Sequence, residues 1–288
     1  MNIDYVYSVP HFVQPGETLS STGMQVFCGG KGLNQSIALA RAGLTVYHAG
    51  CIGEEGGMLV RYLAENGVDT GLIRRCKGKT GHTIIQVDAS GQNSILLYGG
   101  ANQQITEAYI DEALSAFSAG DTLLLQNEVN LVDSMIRKAK ARGMRVAWNP
   151  APMNRHVLAA PLDLVDMLIL NEVEAAALCG TQDPERQLPA LRARYPQATL
   201  VLTLGEQGSL YQAPGGEVYR QGIYKVPVVD TTAAGDVYIA YLLAGLETEP
   251  DVPGCLRLAA KAAAIAVSRK GAAASAPHMQ EVRSSELL

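Results

Sequence analysis

Two aspartates, Asp230 and Asp236, bracket a run of Thr, Ala and Gly in the stretch VVDTTAAGDVYIAYLLAGL, where an apolar strand gives way to a helix. If AAGD opens that helix, the amides of Ala234, Gly235 and Asp236 lie unpaired at its positive end, and the small side chains let an anion approach the backbone. A carboxylate beside a bound anion has a use as the acceptor of a proton from a nucleophile attacking that anion. Phosphoryl transfer to a hydroxyl needs this pairing, because charge gathers on the transferring oxygens as the attacking hydroxyl loses its proton. The same run also reads as a plain strand-to-helix turn with Asp230 as its cap.

A second polar cluster, CGGKGLNQSIALARAG, places Gly29, Gly30, Lys31, Gly32 and Asn34 ahead of an amphipathic helix. It matches neither the Walker pattern nor G-x-G-x-x-G. Lys31 and Asn34 suit hydrogen bonding to a polyol; a helix entry with a solvated lysine is the plain alternative. Further polar sets stand after apolar runs: Gln126 and Glu128 after DTLLL, Asn149 after MRVAW, and Asn171, Glu172 and Glu174 after VDMLIL. Singly each could be a cap, Asn171 above all. Together they suggest one cleft, since ligands of open α/β sheets bind at the carboxyl ends of the strands.

The elements that must position these groups follow from periodicity. From about residue 120, apolar runs (DTLLLQ, MRVAW, VDMLIL, ATLVLTL) alternate with helical segments such as 131–142 and 172–178, which predicts βα units and a mostly parallel sheet. CLRLAAKAAAIAVSRKG reads as a helix with a small, closely packing face that stops at Gly271. The first hundred residues differ: HTIIQVDASGQNSILLYGG gives a hairpin signal and FVQPGETLSSTGMQVFCGG reads as extended chain with turns. These predict a small β-layer over the main sheet.

Composition narrows the class. With 288 residues, 48% of them hydrophobic, the chain can bury a large core. Its net charge of −5 and scattered basic residues give no nucleic-acid footprint and no membrane patch. The five cysteines, odd in number and widely spaced, argue against a disulfide framework or a structural zinc site and fit a reducing cytoplasm. The opening MNIDYVYSVPHF lacks the features of a secretory signal.

Taken in order, NID, PGET, GGKGLNQ, GAN, NPAP, NEVEAAALCG, TLGEQG, DTTAAGD and AAAIAVSRKGAAAS resemble the ribokinase family of sugar kinases along nearly the whole chain. The resemblance implies one domain over residues 1–288: a three-layer α/β/α sandwich around a mainly parallel sheet. It adds a β-lid, at about 5–30 and 76–103, that also forms a homodimer interface. By the same resemblance Asn2, Asp4, Gly30, Lys31, Asn34 and Glu128 bind sugar and Asp236 is the catalytic base beside an anion hole at Ala233, Ala234 and Gly235. Asn171, Thr203, Gly205 and Gly208 fall on the ATP site, and Glu174 on the Mg2+ site, through water. Asp230, Thr232 and Ser275 match positions around a monovalent cation, usually K+. The implied reaction is ATP-dependent phosphorylation of the primary hydroxyl of a pentose, ribose first. A nucleoside, deoxyribose or hexose derivative is the alternative acceptor, and a non-catalytic sugar or nucleotide sensor the rival class.

Three departures from that pattern carry expectations of their own. Family members lead into Asn-x-Asp with an apolar strand deep in the sheet, whereas Met1 directly precedes Asn2 here, so that strand is expected to be missing, leaving its neighbours unpaired. Asn2 and Asp4 should then fray unless something else anchors them. After Asp236 the family continues Thr-Phe-Asn-Gly-Ala, but this chain has Val237, Tyr238, Ile239, Ala240 and Tyr241. Leu97 and Tyr98 near the sugar side leave the acceptor open.

Overall fold

The computed structural model describes residues 1–287. The chain opens with strands β1 (Asn2–Ser8) and β2 (Gly23–Gly29), helix α1 (Lys31–Arg41), β3 (Gly50–Ile52), α2 (Gly57–Glu65) and β4 (Ile73–Arg75). The hairpin β5 (His82–Val87) and β6 (Asn93–Tyr98) follows, then α3 (Glu107–Leu114). Strands and helices then alternate through β7 (Thr122–Leu125), α4 (Val132–Ala141), β8 (Arg145–Trp148), α5 (Arg155–Ala159) and β9 (Met167–Asn171). Helices α6 (Glu172–Cys179) and α7 (Pro184–Arg194) lead to β10 (Thr199–Thr203), β11 (Ser209–Gln212) and β12 (Val218–Gln221). Helices α8 (Ala234–Thr248), α9 (Val252–Val267) and α10 (Met279–Ser284) close the order.

The main sheet runs β12-β11-β10-β9-β8-β7, parallel from β7 to β10 and antiparallel over β11 and β12. Its central strands are apolar on both faces because helices cover both. Leu168, Leu170, Leu200 and Leu202 pack with α3, α4, α6 and α7 residues such as Ile136 and Leu188, while Ile169 and Val201 pack against α8 and α9. Those two helices approach closely at Gly245, where a Cβ would lie 2.9 Å from the Cys255 Cα. The mostly parallel sheet is the one expected from the alternating pattern, and the helices on both faces make it the α/β/α sandwich that the resemblance implies.

The early β-layer is a separate four-stranded sheet, β2-β1-β5-β6. β1 pairs antiparallel with β2, Asn2 opposite Gly29, and parallel with β5, Ile3 opposite His82. β6 is exposed along its whole length, including Ile95, Leu96, Leu97 and Tyr98.

No strand stands beyond β7 in the main sheet, and β3 pairs only with β4 among the described residues. The terminus is nevertheless ordered. Met1, Asn2 and Ile3 are buried; Asn102 Nδ2 donates to the Met1 carbonyl at 3.1 Å and to Asn2 Oδ1 at 2.8 Å, and Ile3 N donates to Gly81 O at 2.9 Å. The fraying expected of Asn2 and Asp4 is therefore corrected: the loop ahead of β5 and the turn after β6 anchor them. The bulky run after Asp236 is accommodated as well, since Val237 to Tyr241 are all buried, Tyr238 Oη donates to Ser209 Oγ at 2.7 Å and Tyr241 Oη to Pro277 O at 2.7 Å. Polar ends that would be costly in a core thus have partners.

Candidate active site

Asp236 sits in the first turn of α8, 5% exposed, entered through Ala233 in the left-handed conformation at φ 61°. That entry lifts the chain out of the preceding loop and leaves the helix start without a side-chain cap. The Ala234 amide donates to Thr231 O at 3.2 Å, closing a turn, and Val237 N donates to Ala233 O. The Gly235 and Asp236 amides have no backbone acceptor among the described residues, and a Cβ at Gly235 would meet open space. An anion would therefore meet Gly235 and Asp236, with Ala234 available only on breaking its turn bond.

Helix α1 holds the Asp236 carboxylate. Asn34 Nδ2 donates to Oδ2 at 3.0 Å and Gln35 Nε2 to Oδ1 at 2.8 Å. Gln35 is in turn oriented by Gln126, whose Nε2 donates to its Oε1 at 2.5 Å. Burial raises the Asp236 pKa above the ordinary carboxylate value, with the Lys31 charge and the Asn34 and Gln35 donors opposing it. A raised pKa suits a group that takes up a proton. Asn34 Oδ1 is buried with no protein partner, an acceptor that the chain itself leaves unsatisfied.

The other sugar-side residues converge on the same region from the small sheet. Gly30, the residue before α1, has φ 90°, and a Cβ there would come within 3.0 Å of Asn2 N. Only glycine fits without strain. Its neighbour Gly29 packs so tightly on Asp4 that a Cβ would fall 1.9 Å from Oδ2. Asp4 Oδ1 accepts from Thr83 Oγ1 at 2.6 Å, and burial raises its pKa. Glu128 Oε2 accepts from Lys31 N at 2.9 Å; burial raises its pKa too, opposed by the Met1 ammonium and Lys31 and reinforced by Asp236.

A second arm leads along the carboxyl ends of the central strands. Asn171 caps α6 reciprocally with Glu174: its Oδ1 accepts from Glu174 N at 2.8 Å, while Glu174 Oε2 accepts from Asn171 N at 3.0 Å. Asn149 Nδ2 reaches Glu174 Oε2 at 3.4 Å, and burial raises the Glu174 pKa despite these donors. Thr203 pairs in register with Asn171 across β10 and β9. Gly205 starts a turn beside Glu172, and Gly208, at φ 86°, would drive a Cβ to 2.0 Å from Gln221 O.

The loop ahead of α8 is braced separately. Asp230 Oδ1 accepts from Thr232 N at 2.9 Å and Oδ2 from Gly271 N at 2.9 Å; although partial burial opposes them, these donors hold its pKa below the ordinary value. Ser275 Oγ is buried and donates to Ala272 O at 2.8 Å. Among the described residues no hydrogen bond joins Asp230 or Ser275 to the Asp236 network. The connection runs through the chain, six residues from Asp230 to Asp236.

Sequence reading missed Gln35, Thr83 and Asn102 as site residues. Gln35 was detectable, since it follows Asn34 directly, but on a helical wheel it could equally have been surface. Thr83 and Asn102 needed the pairing of β1 with β5, which no local pattern states. The residues bring together a buried, donor-held carboxylate, helix-start amides without backbone acceptors and a buried acceptor that the chain leaves unsatisfied. Fold and site together define a carbohydrate kinase.

The comparisons with known proteins agree. The chain belongs to the pfkB family of carbohydrate kinases, whose profile matches residues 1–279. It is 36% identical over 291 residues to the ribokinase of Haemophilus influenzae, covering 98% of this chain and 94% of that protein. It is 29% identical over 288 residues to the deoxyribokinase of Salmonella typhi, covering 97% and 94%. The structure of Arabidopsis thaliana ribokinase complexed with ribose and ATP matches with a TM-score of 0.86 at 28% identity, covering 98% of this chain and 95% of the other.

Proposed function

We propose that the protein transfers the γ-phosphoryl group of ATP to the primary hydroxyl of a pentose, ribose first. The observation that carries this is the buried Asp236 carboxylate at the start of α8, held by Asn34 and Gln35 beside the unpaired amides of Gly235 and Asp236. The ribose and ATP of the Arabidopsis complex, in a chain of the same fold, support the substrate pair.

In this reading Asp4, Asn2, Lys31 and Asn34 orient the sugar, with the unpaired Asn34 Oδ1 accepting a hydroxyl. Asp236 takes the proton of the primary hydroxyl as it attacks in line. The Gly235 and Asp236 amides, with Lys31 near by, receive the charge that develops on the transferring oxygens. Asn171, Thr203, Gly205 and Gly208 cradle the nucleotide.

Two cations fit the residues present. Glu174 is buried with both carboxylate oxygens already hydrogen-bonded, so it suits a Mg2+-bound water rather than the ion itself. Magnesium supplies charge neutralisation on the phosphates. Asp230, ionised at neutral pH, and the Ser275 hydroxyl give oxygen donors of the kind an alkali cation takes, which would stiffen the loop leading to Gly235. The exposed apolar edge strand β6 supports a dimer formed through the small sheet, which would act as a lid. A cytoplasmic enzyme is consistent with the five unpaired cysteines.

A coupled ATP-consumption assay across pentoses, hexoses and nucleosides tests the proposal. Ribose should give the highest kcat/KM; turnover confined to a nucleoside or a hexose derivative would displace it.

A further inference from the structure

The strand register of the small sheet sets Asp4 in a row of side chains. Phe27 of β2 and Thr83 of β5 stand directly opposite it on either side, and Leu97 of β6 stands opposite Thr83. Residues directly opposite one another across a sheet share a face, because side chains alternate with period two. Phe27, Asp4, Thr83 and Leu97 therefore line one face, while the neighbouring row of Ile3, His82 and Tyr98 lines the other. Gly29, two residues beyond Phe27, lies on the Asp4 face without a side chain.

Within that row the two oxygens of Asp4 differ. Oδ1 accepts from Thr83 Oγ1 at 2.6 Å, the length of a charge-assisted O–H···O bond. Oδ2 has no hydrogen-bond partner among the described residues, and it lies over Gly29, where a Cβ would fall 1.9 Å away. Thr83 is buried and stands between Asp4 and Leu97, so the Oδ1 side of the carboxylate faces protein. A site that hydrogen-bonds a hydroxyl rejects the analogue lacking it chiefly because a buried polar group is then left unpaired. A carboxylate open at both oxygens can accept from both members of a vicinal diol, so loss of either hydroxyl leaves one oxygen unpaired. Here the Thr83 hydroxyl already stands in for one of them. A sugar short of that hydroxyl still leaves Oδ1 satisfied.

We propose that Thr83 sets the hydroxyl specificity of the sugar site: it occupies the Oδ1 side of Asp4, so only one hydroxyl of a vicinal pair is read there, and a deoxypentose lacking the other is a substrate. The proposal rests on the assignment of Asp4 to the sugar. Thr83 acts through Asp4 and is a positioning residue, with no part in the phosphoryl transfer itself.

The test compares the parent with Thr83→Val, which nearly keeps the shape and loses the donor, and with Thr83→Ser, which keeps the donor. Values of kcat/KM are measured for ribose, 2-deoxyribose and 3-deoxyribose, and calorimetry without ATP gives the binding ratios for the same sugars. In the parent, one of the two deoxypentoses should come within about tenfold of ribose. Thr83→Val should worsen that deoxypentose against ribose by roughly a further tenfold, mainly through KM and Kd, and Thr83→Ser should hold the parental ratio. Carbon NMR of labelled aspartates reads the contact without any sugar. Burial holds the Asp4 pKa above its ordinary value and the Thr83 bond opposes it, so Thr83→Val should raise it further. Rejection of both deoxypentoses by more than about a hundredfold in the parent would overturn the proposal. So would a ribose preference in Thr83→Val within about twofold of the parent's, or an Asp4 pKa that does not move. Binding ratios that shift as expected in forms that transfer no phosphate would count against the reaction and leave Thr83 in its role. No binding of any of these sugars in any form would remove both.

Discussion

Asn34 in α1 donates its side-chain amide to the Asp236 carboxylate in α8 at 3.0 Å, joining residues 202 positions apart, while the oxygen of that same amide is buried without a protein partner. One side chain therefore steadies the proposed base and offers an acceptor to a sugar hydroxyl. Hydrogen bonds to charged groups contribute about 1.5–3 kcal/mol. Asn34→Ala should accordingly lower kcat/KM for the sugar by roughly 10- to 100-fold, with most of the loss in KM and little change in KM for ATP. Steady-state kinetics with each substrate varied separately would show this, and a change within twofold would remove Asn34 from the sugar site.

Asp236 also makes a prediction about stability. Its folded-state pKa lies above the unfolded value of 3.8 because burial favours the neutral form. Folding therefore takes up a proton, and the associated stability is present at low pH and declines as pH rises from the unfolded value through the folded one. Asp236→Asn, which stays neutral, should be more stable than the parent at neutral pH, and the gap should shrink as pH falls toward about 4. Gln35 and Gln126 can turn their amides together to meet the new NH2 group, which leaves Asn34 as it is. Chemical denaturation at several pH values measures the gap; a constant gap, or a less stable variant at pH 7, would mean that the parent carboxylate is not strained by burial.

Activity should depend on a monovalent cation. Asp230 ties the loop before α8 to Gly271, and its carboxylate remains ionised. Potassium should raise kcat more than sodium at equal ionic strength, and Asp230→Ala should abolish the difference. Identical rates in potassium, sodium and a bulky organic cation would argue that the loop needs no ion.

The outer strand of the small sheet predicts association. Leu96 is 67% exposed and its β6 neighbours Ile95, Leu97 and Tyr98 are exposed too, an apolar edge that a solitary chain would leave in water. Leu96→Glu should shift the protein from dimer to monomer in sedimentation velocity, with sugar affinity reduced as the lid loses support. A parent that is monomeric at micromolar concentration would refute the lid dimer.

Much of this architecture was legible from residue patterns. The apolar runs at 122–125, 145–148, 167–171 and 199–203 became parallel strands because helices cover both faces, and HTIIQV and NSILLY became a hairpin. Asp236 and its small neighbours declared a helix start with a carboxylate in its first turn. What local pattern could not supply was long-range pairing. Asn2 and Asp4 looked like loose ends because their anchors, Asn102 and Thr83, come from 100 and 79 residues away. The turn bond from Ala234 to Thr231, made with Ala233 in the left-handed conformation, could not be read from the run of small residues. Tyr238 and Tyr241 depart from the family's run after Asp236, and the partners that receive their hydroxyls, Ser209 and Pro277, are distant in sequence.

The central claim is phosphoryl transfer to a sugar hydroxyl with Asp236 as base, and product analysis tests it most directly. Ribose and ATP, with magnesium and potassium, would be incubated with the parent protein and with Asp236→Asn, and the products followed by phosphorus NMR. The account predicts ADP and a phosphomonoester on the primary carbon of ribose in equal amounts, with kcat in the variant lower by roughly two to four orders of magnitude and the sugar Kd nearly unchanged. ADP formed without sugar phosphate, or a variant that keeps more than about a third of kcat where loss of a general base should cost far more, would contradict it.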